Sequence, residues 1–292
     1  MFEPLAIRIH INPTIGEIGP LLLTWHGVFT AIGIGAAVMI AAYFARRRGI
    51  LEDDVYNIAL VAIPGGIIGA RLLFVIENWS SFSGDIGAMF SVNEGGISVY
   101  GGLIGGALAG WAFAWWRKYR MRAISDAAAF GMLAGQAIGR IGDYINGEHL
   151  AKNSDLPWAF CYTHPDTLQD PICGPGQLGN HGVHPVAGLY EPLLLIALFG
   201  LLLVLMPRIK KDGYLFWINV GGYALIRFFT SFLRINEAEA GPLTVPQWIA
   251  LGMLALAAVA AYIISKMPEK SAPRPPRQQP RATNRPKARA IP

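Results

Sequence analysis

The chain has 292 residues, of which 53% are hydrophobic and only 15% charged. A mean hydropathy of +0.39 is too high, and the charge too sparse, for an ordinary soluble domain. The net charge of +5 could suit a nucleic-acid partner, but the way it is spread along the chain excludes that and points to a membrane.

Residues 1–20 carry Glu3, Arg8, Glu17 and interrupting prolines. They read as an external N-terminal segment without the apolar stretch of a cleavable signal. Seven apolar segments follow, at roughly 21–44, 55–76, 97–116, 124–145, 187–206, 214–234 and 244–265. Each approaches the ~20 residues that cross a bilayer as a helix. The pattern predicts an all-α integral membrane protein with about seven transmembrane helices within 21–266.

Basic residues fix the orientation. Arg46, Arg47 and Arg48 follow the first segment, and Arg117, Lys118, Arg120 and Arg122 follow the third. Arg208, Lys210 and Lys211 follow the fifth, and eight more basic residues follow the seventh. Eighteen of the 24 basic residues therefore share one side if every segment spans. The positive-inside rule puts that side in the cytoplasm, with the N-terminus outside and the C-terminus inside. The tail, 267–292, is rich in proline and arginine; it predicts a disordered cytoplasmic segment drawn to anionic inner-leaflet lipid.

Most other charges fall on the outer side. Arg71, Arg140 and Arg227 lie within the second, fourth and sixth segments, in their outer halves. Glu77, Asp85, Glu94, Asp143, Glu148 and Glu191 lie on or near the same face. The inner half of the membrane holds little that is polar beyond Asp126, at the cytoplasmic start of the fourth segment. An ion pathway needs polar groups at several depths, so a transporter is disfavoured, and the lack of any internal repeat disfavours an inverted-repeat transporter as well.

The most informative stretch is 135–148, GQAIGRIGDYINGE. An arginine inside an apolar run is a functional candidate by default. Asp143, Asn146 and Glu148 follow it within about two helical turns. A guanidinium beside a carboxylate and an amide could hold a phosphate and move a proton. The alternative is an Arg140–Asp143 pair that only orients the helix. Glycines at 65, 66 and 69, and at 101, 102, 105 and 106, predict close helix contacts; backbone N–H groups beside Tyr100 approaching a phosphate is the second reading.

The external loop, about 147–186, holds both cysteines, Cys161 and Cys173. Outside the cytoplasm they are expected to be bridged. Cys161, His164, Cys173, His181 and His184 match no standard zinc spacing, so no metal is expected. The loop reads as a lid, or as a carrier of interfacial anchors with Trp79, Trp158 and Tyr162.

These pieces, in order, resemble the prolipoprotein diacylglyceryl transferases, bacterial membrane enzymes. Leu23-Thr24-Trp25-His26-Gly27 and Gly69-Ala70-Arg71 are similar to the family's first two motifs. The run from Gly95 to Gly106, around Tyr100, is similar to the next. Gly139 to Glu148 is the most specific piece. Asp155-Leu156-Pro157-Trp158, the run from His184 to Glu191, and Tyr223 with Arg227 complete the set.

The resemblance implies transfer of the diacylglyceryl group of phosphatidylglycerol to the thiol of a lipobox cysteine in an exported prolipoprotein. The product is a thioether, and glycerol phosphate leaves. It implies no cofactor and no nucleic acid. It places the chain in the bacterial cytoplasmic (inner) membrane, with the active site toward the external side. Arg140 and Arg227 would clamp the phosphate, and Glu148 or Tyr100 would take the thiol proton. Asn146, Asp143, Tyr223, His26, Gly101, Gly102 and Arg71 would line the substrate site, with Arg71 split between headgroup contact and a structural pair with Glu77. Four positions depart from the family pattern. Tyr100 stands where histidine is common, Asp143 where asparagine is, His26 where tyrosine is, and Ser231 where glutamate is. A catalytically altered paralogue that binds lipid or precursor without transfer is the alternative these substitutions leave open.

Overall fold

The computed structural model describes residues 6–19, 21–82, 87, 89, 96, 98–148, 151–167, 182–235 and 237–268. Among the described residues, seven long helices coincide with the apolar segments: α1 (Trp25–Arg47), α2 (Glu52–Glu77), α3 (Val99–Trp116), α4 (Met121–Asn146), α5 (Glu191–Leu205), α6 (Tyr214–Ser231) and α7 (Val245–Lys266). Among the described residues, four stretches are long and apolar enough to cross a membrane: α1, α2, Val186–Leu205 and α7. The protein is therefore a mostly helical membrane protein. α4 and α6 are less apolar because they carry Arg140, Asp143, Asn219 and Arg227, whose charges and amides turn toward other helices. Asp143 is 5% exposed and Asn219 2%.

Two helix pairs are drawn together by glycine. A Cβ on Gly33 of α1 would stand 2.6 Å from the Gly135 carbonyl oxygen of α4. Between α2 and α3, a Cβ on Gly105 would stand 2.6 Å from the Gly65 carbonyl oxygen, and one on Gly69 would collide with the Gly101 carbonyl. Small residues allow this approach where lipid supplies no hydrophobic drive between helices. Phe44 and Phe130 stack at 3.9 Å between ring centroids in the central core, joined by buried Leu133, Leu195, Leu202 and Leu215. Large apolar side chains such as Ile68, Leu72, Leu108 and Ile196 point outward. That inversion suits a lipid solvent and would be costly in water.

Short strands accompany the long helices of this all-α membrane architecture. A four-stranded sheet of order β1-β5-β6-β4 joins Ile7–Ile9 (β1), Phe160–Tyr162 (β5), Gly182–Val183 (β6) and Asn153–Ser154 (β4). β1 runs parallel to β5, with Ile7 opposite Phe160 and Ile9 opposite Tyr162. β1 thus ties the N-terminal segment to a strand of the 147–186 region. A hairpin, β2 (Thr14–Ile18) with β3 (Leu21–Thr24), then leads into α1. Thr24 caps α1 by accepting the Gly27 N–H at 3.1 Å.

Ile9, Phe160, Tyr162, Val183 and Val186 form a second small core. Tyr162 is 6% exposed and its hydroxyl donates to the Tyr144 carbonyl at 2.9 Å. It is a core residue, not an interfacial anchor, and burial pushes its phenol above the usual range. Trp79 and Trp158 are exposed as anchors would be. Cys161 is disulfide-bonded, which removes it from any metal site. Cys173, His181, Asp85, Glu94 and residues 269–292 lie outside the described residues.

At the other end of α4, Asp126 is fully buried. It receives Arg48 Nη1 at 2.8 Å and the backbone N–H groups of Gly213 and Phe216 at 2.8 and 2.9 Å. It therefore satisfies the free donors at the start of α6 from a different helix. Asp212 beside it takes Arg48 at 3.2 Å and Arg120 at 2.9 Å.

Candidate active site

The last turn of α4 builds one half of the site. Helical spacing stacks Asp143 one turn beyond Arg140, and Arg140 Nη1 donates to Asp143 Oδ2 at 2.6 Å. The helix stops at Gly147, whose left-handed φ of 67° only glycine adopts without strain. That turn brings Glu148 back, with its N–H on the Asp143 carbonyl at 3.1 Å. Asn146 Nδ2 then donates to Glu148 Oε1 at 2.9 Å.

α1 supplies the second side. His26 Nδ1 lies 2.9 Å from Asp143 Oδ1 and 3.4 Å from Glu148 Oε1. Gly142 makes this possible, because a Cβ there would stand 2.6 Å from the His26 Cα. The ligand-type atoms of His26, Asp143 and Glu148 lie within 4.8 Å of one another. That set could accept a cation, but the Arg140 guanidinium already stands on Asp143.

α5 and the segment after α6 supply the rest. A π-helical turn at Val186–Tyr190 leads into α5 and delivers Glu191, which is 2% exposed. Glu191 Oε2 lies 2.5 Å from Arg140 Nη2, and its Oε1 lies 2.5 Å from Arg234 Nη2. Thr230 Oγ1 donates to Glu191 Oε1 at 3.1 Å. Arg234 Nε stands 3.9 Å from Glu237 Oε1, which also accepts Arg227 Nη2 at 2.6 Å. Thr244, the N-cap of α7, donates to the other Glu237 oxygen at 3.2 Å.

The result is a chain of alternating charge from α1 to α6: His26, Asp143, Arg140, Glu191, Arg234, Glu237, Arg227. A buried ion is tolerated only when such partners surround it. Three guanidiniums face four carboxylates once Glu148 is included. Four buried polar atoms in the cluster have no hydrogen-bond partner among the described residues: Arg227 Nη1, Arg234 Nε, Asn146 Oδ1 and Glu191 Oε2, the last held only by its ion-pair contact with Arg140.

Arg140, Asp143, Asn146, Glu148, His26 and Arg227 are thus brought together. Tyr223 is an electrostatic neighbour of Arg140 and packs partly against the main core. Gly101 and Gly102 face α2, where they serve helix contact. Tyr100 is 51% exposed at the start of α3. Arg71 is buried, donating to the carbonyls of Met89 and Gly96 at 2.9 and 2.8 Å and covering the Phe74 and Phe82 rings. It ties Met89 and Gly96 to α2. Glu77 accepts the Ser98 hydroxyl at 3.3 Å.

Glu191, Arg234 and Glu237 were not among the sequence-derived site residues. A carboxylate at the head of an apolar run was a usable signal for Glu191. Glu237 had none, because its partner is set by the path of the chain after α6. Ser231 donates to the Arg227 carbonyl at 2.9 Å, so Glu237 fills the role of partner for Arg227.

A profile described as Prolipoprotein diacylglyceryl transferase matches residues 13–263. The chain is 34% identical over 229 residues to the phosphatidylglycerol–prolipoprotein diacylglyceryl transferase of Clostridioides difficile (strain 630), covering 78% of this chain and 86% of that one. It is 31% identical over 256 residues to the protein so named from Clostridium botulinum (strain Langeland), covering 88% and 98%. A third so named, from Dehalococcoides mccartyi, is 31% identical over 274 residues, covering 93% and 98%. With its profile match running from the hairpin before α1 to the end of α7, the chain belongs to the prolipoprotein diacylglyceryl transferase family.

Proposed function

We propose that this chain moves the diacylglyceryl group of phosphatidylglycerol onto the lipobox cysteine thiol of exported prolipoproteins. The bond between the glycerol carbon and the phosphate oxygen breaks, a C–S bond forms, and glycerol phosphate leaves. The thiol proton goes to the enzyme, because the thiolate is the nucleophile. The observation that carries this reading is the charge chain centred on Arg140.

Each member has a role. Arg227 Nη1, buried without an acceptor, is the donor left for a phosphate oxygen. Arg140 reaches the same phosphate by releasing one of its two carboxylates, and guanidinium matches phosphate bidentately. Both stabilise charge on the leaving oxygen. Asp143 holds the His26 Nδ1–H, which leaves Nε2 to accept the thiol proton, the logic of a histidine oriented by a carboxylate. Glu148 is the second acceptor, beside Asn146. Tyr223 completes the phosphate side, and Tyr100 serves as a phosphate or water ligand at the entrance.

Seven crossings, with the N-terminus outside and the C-terminus in the cytoplasm, fit this reading. The site then opens on the outer leaflet of the bacterial inner membrane, where an exported precursor waits. The distribution of basic residues supports that orientation.

The test is transfer by the purified chain in phosphatidylglycerol micelles to a lipobox peptide with one cysteine. Mass spectrometry reads the diacylglyceryl adduct, alongside Arg140→Ala and Glu148→Gln. An adduct that disappears in the arginine variant is expected. Lipid binding without any adduct would remove the transferase reading.

A further inference from the structure

Away from the active site, the ends of α1, α4 and α7 and the α5–α6 connection enclose a cavity of about 310 Å³. Arg122 in its wall and Arg140 lie on the same helix, about 27 Å apart at 1.5 Å per residue. The walls carry Arg47, Arg48, Arg120, Arg122, Lys210 and Lys211, with Asp212 as the single carboxylate. Asp212 is already engaged by Arg48 and Arg120.

The other four cations have no carboxylate partner among the described residues. Arg122 Nη1 donates to the Met267 thioether at 2.8 Å, a weak acceptor for a guanidinium. Lys211 Nζ donates to the Ser265 carbonyl at 2.6 Å. Arg47 lies over the Tyr43 ring. Positive-inside accounts for basic residues on this side, but not for their convergence on one concave space. Like charges sharing a cavity raise each other's energy until an anion enters. Met206, Ile209, Ile264 and Met267 give the same cavity an apolar floor, so it offers both apolar contact and cationic donors.

We infer that this cavity is a second anion site that binds a phosphate group, either the headgroup of an anionic phospholipid or a soluble phosphate ester. It is separate from the active site and needs no transfer chemistry. Its failure would leave the proposed activity untouched.

Hydrogen exchange on the full-length protein tests it, in nanodiscs of three kinds. One is phosphatidylcholine alone, one adds phosphatidylglycerol, and one has phosphatidylcholine with glycerol 3-phosphate in the buffer. Amides at 206–213 and 264–268 are expected to slow by a factor near 1 + [L]/Kd, about tenfold at ten times the Kd. Slowing with the lipid alone identifies a headgroup, and slowing with glycerol 3-phosphate identifies a soluble ester. The pair Arg122→Gln with Lys210→Gln should abolish the effect while exchange in α1 stays slow. If that pair loosens α1, Lys210→Gln alone takes its place. The pair Arg117→Gln with Lys118→Gln, basic but outside the cavity, should retain the effect. No slowing with either probe, or equal loss in both pairs, would overturn the site.

Discussion

His26 Nδ1 lies 2.9 Å from Asp143 Oδ1, joining residues 117 positions apart in sequence. One donor and one acceptor across that distance fix the ring's orientation and its tautomer. His26→Phe should therefore lower the transfer rate by about 10²–10⁴-fold, the usual worth of a positioned base. Asp143→Asn should fall within the same range while leaving lipid binding intact. Initial rates with the lipobox peptide decide it; near-normal turnover in His26→Phe would assign the proton to Glu148.

Arg140 is held by Asp143 and Glu191 together. Removing it leaves buried Asp143 with only His26 and buried Glu191 with only Arg234 as charged partner, at a cost of about 3–5 kcal/mol. Arg140→Ala should therefore melt earlier in detergent and also lose transfer. Arg140→Lys keeps the charge but not the fork, so its melting point should recover more than its activity. Parallel loss of both in the lysine variant would count against a phosphate role.

The α2–α3 contact gives a prediction about stability alone. Gly69→Ala should cost about 1–3 kcal/mol by overpacking against α3, because a Cβ there collides with the Gly101 backbone. Gly35→Ala on α1 meets nothing within 4 Å and should be neutral or stabilising. Thermal unfolding of the two variants side by side makes the comparison; equal melting points would show that α2 and α3 are not in close contact.

The small sheet should respond to acid. Burial, with Lys152 adding to it, holds the His184 imidazole below its ordinary value of 6.5. The folded form thus favours the neutral ring. Its contribution to stability is present above pH 6.5 and is lost as pH falls toward the folded value. Exchange of the amides near 182–184, corrected for intrinsic rate, should speed up over that window. His184→Gln should remove the pH dependence; its survival in that variant would place the titration elsewhere.

Seven segments were legible in the sequence because helix-length apolar runs survive any detail of packing. The Arg140–Glu148 stretch was legible because its partners are near in sequence, within reach of one helical turn and a glycine stop. Glu237 was not, since nothing local marks a loop carboxylate as the partner of Arg227 ten positions earlier. The pairing of Ile7–Ile9 with Phe160–Tyr162 was hidden for the same reason: three residues are too few to carry a strand period across such a separation. Gly101 and Gly102 carried a pattern compatible with helix contact and with phosphate approach at once, and the neighbouring helix supplies the first. His26 gained its meaning from Gly142, which no pattern in the first helix foretells.

The strand at Ile7–Ile9 also counts crossings. It is hydrogen-bonded to the loop at Phe160–Tyr162, so both segments occupy the same compartment. The chain between them must then traverse the bilayer an even number of times, whatever the apolarity of any single helix. The same parity holds between Asp126 and the start of α6, which it caps. Two local contacts thus restrict the path of the chain through the membrane without reference to charge. They also impose an order on assembly: the first strand made has no partner until some 150 further residues have emerged beside it.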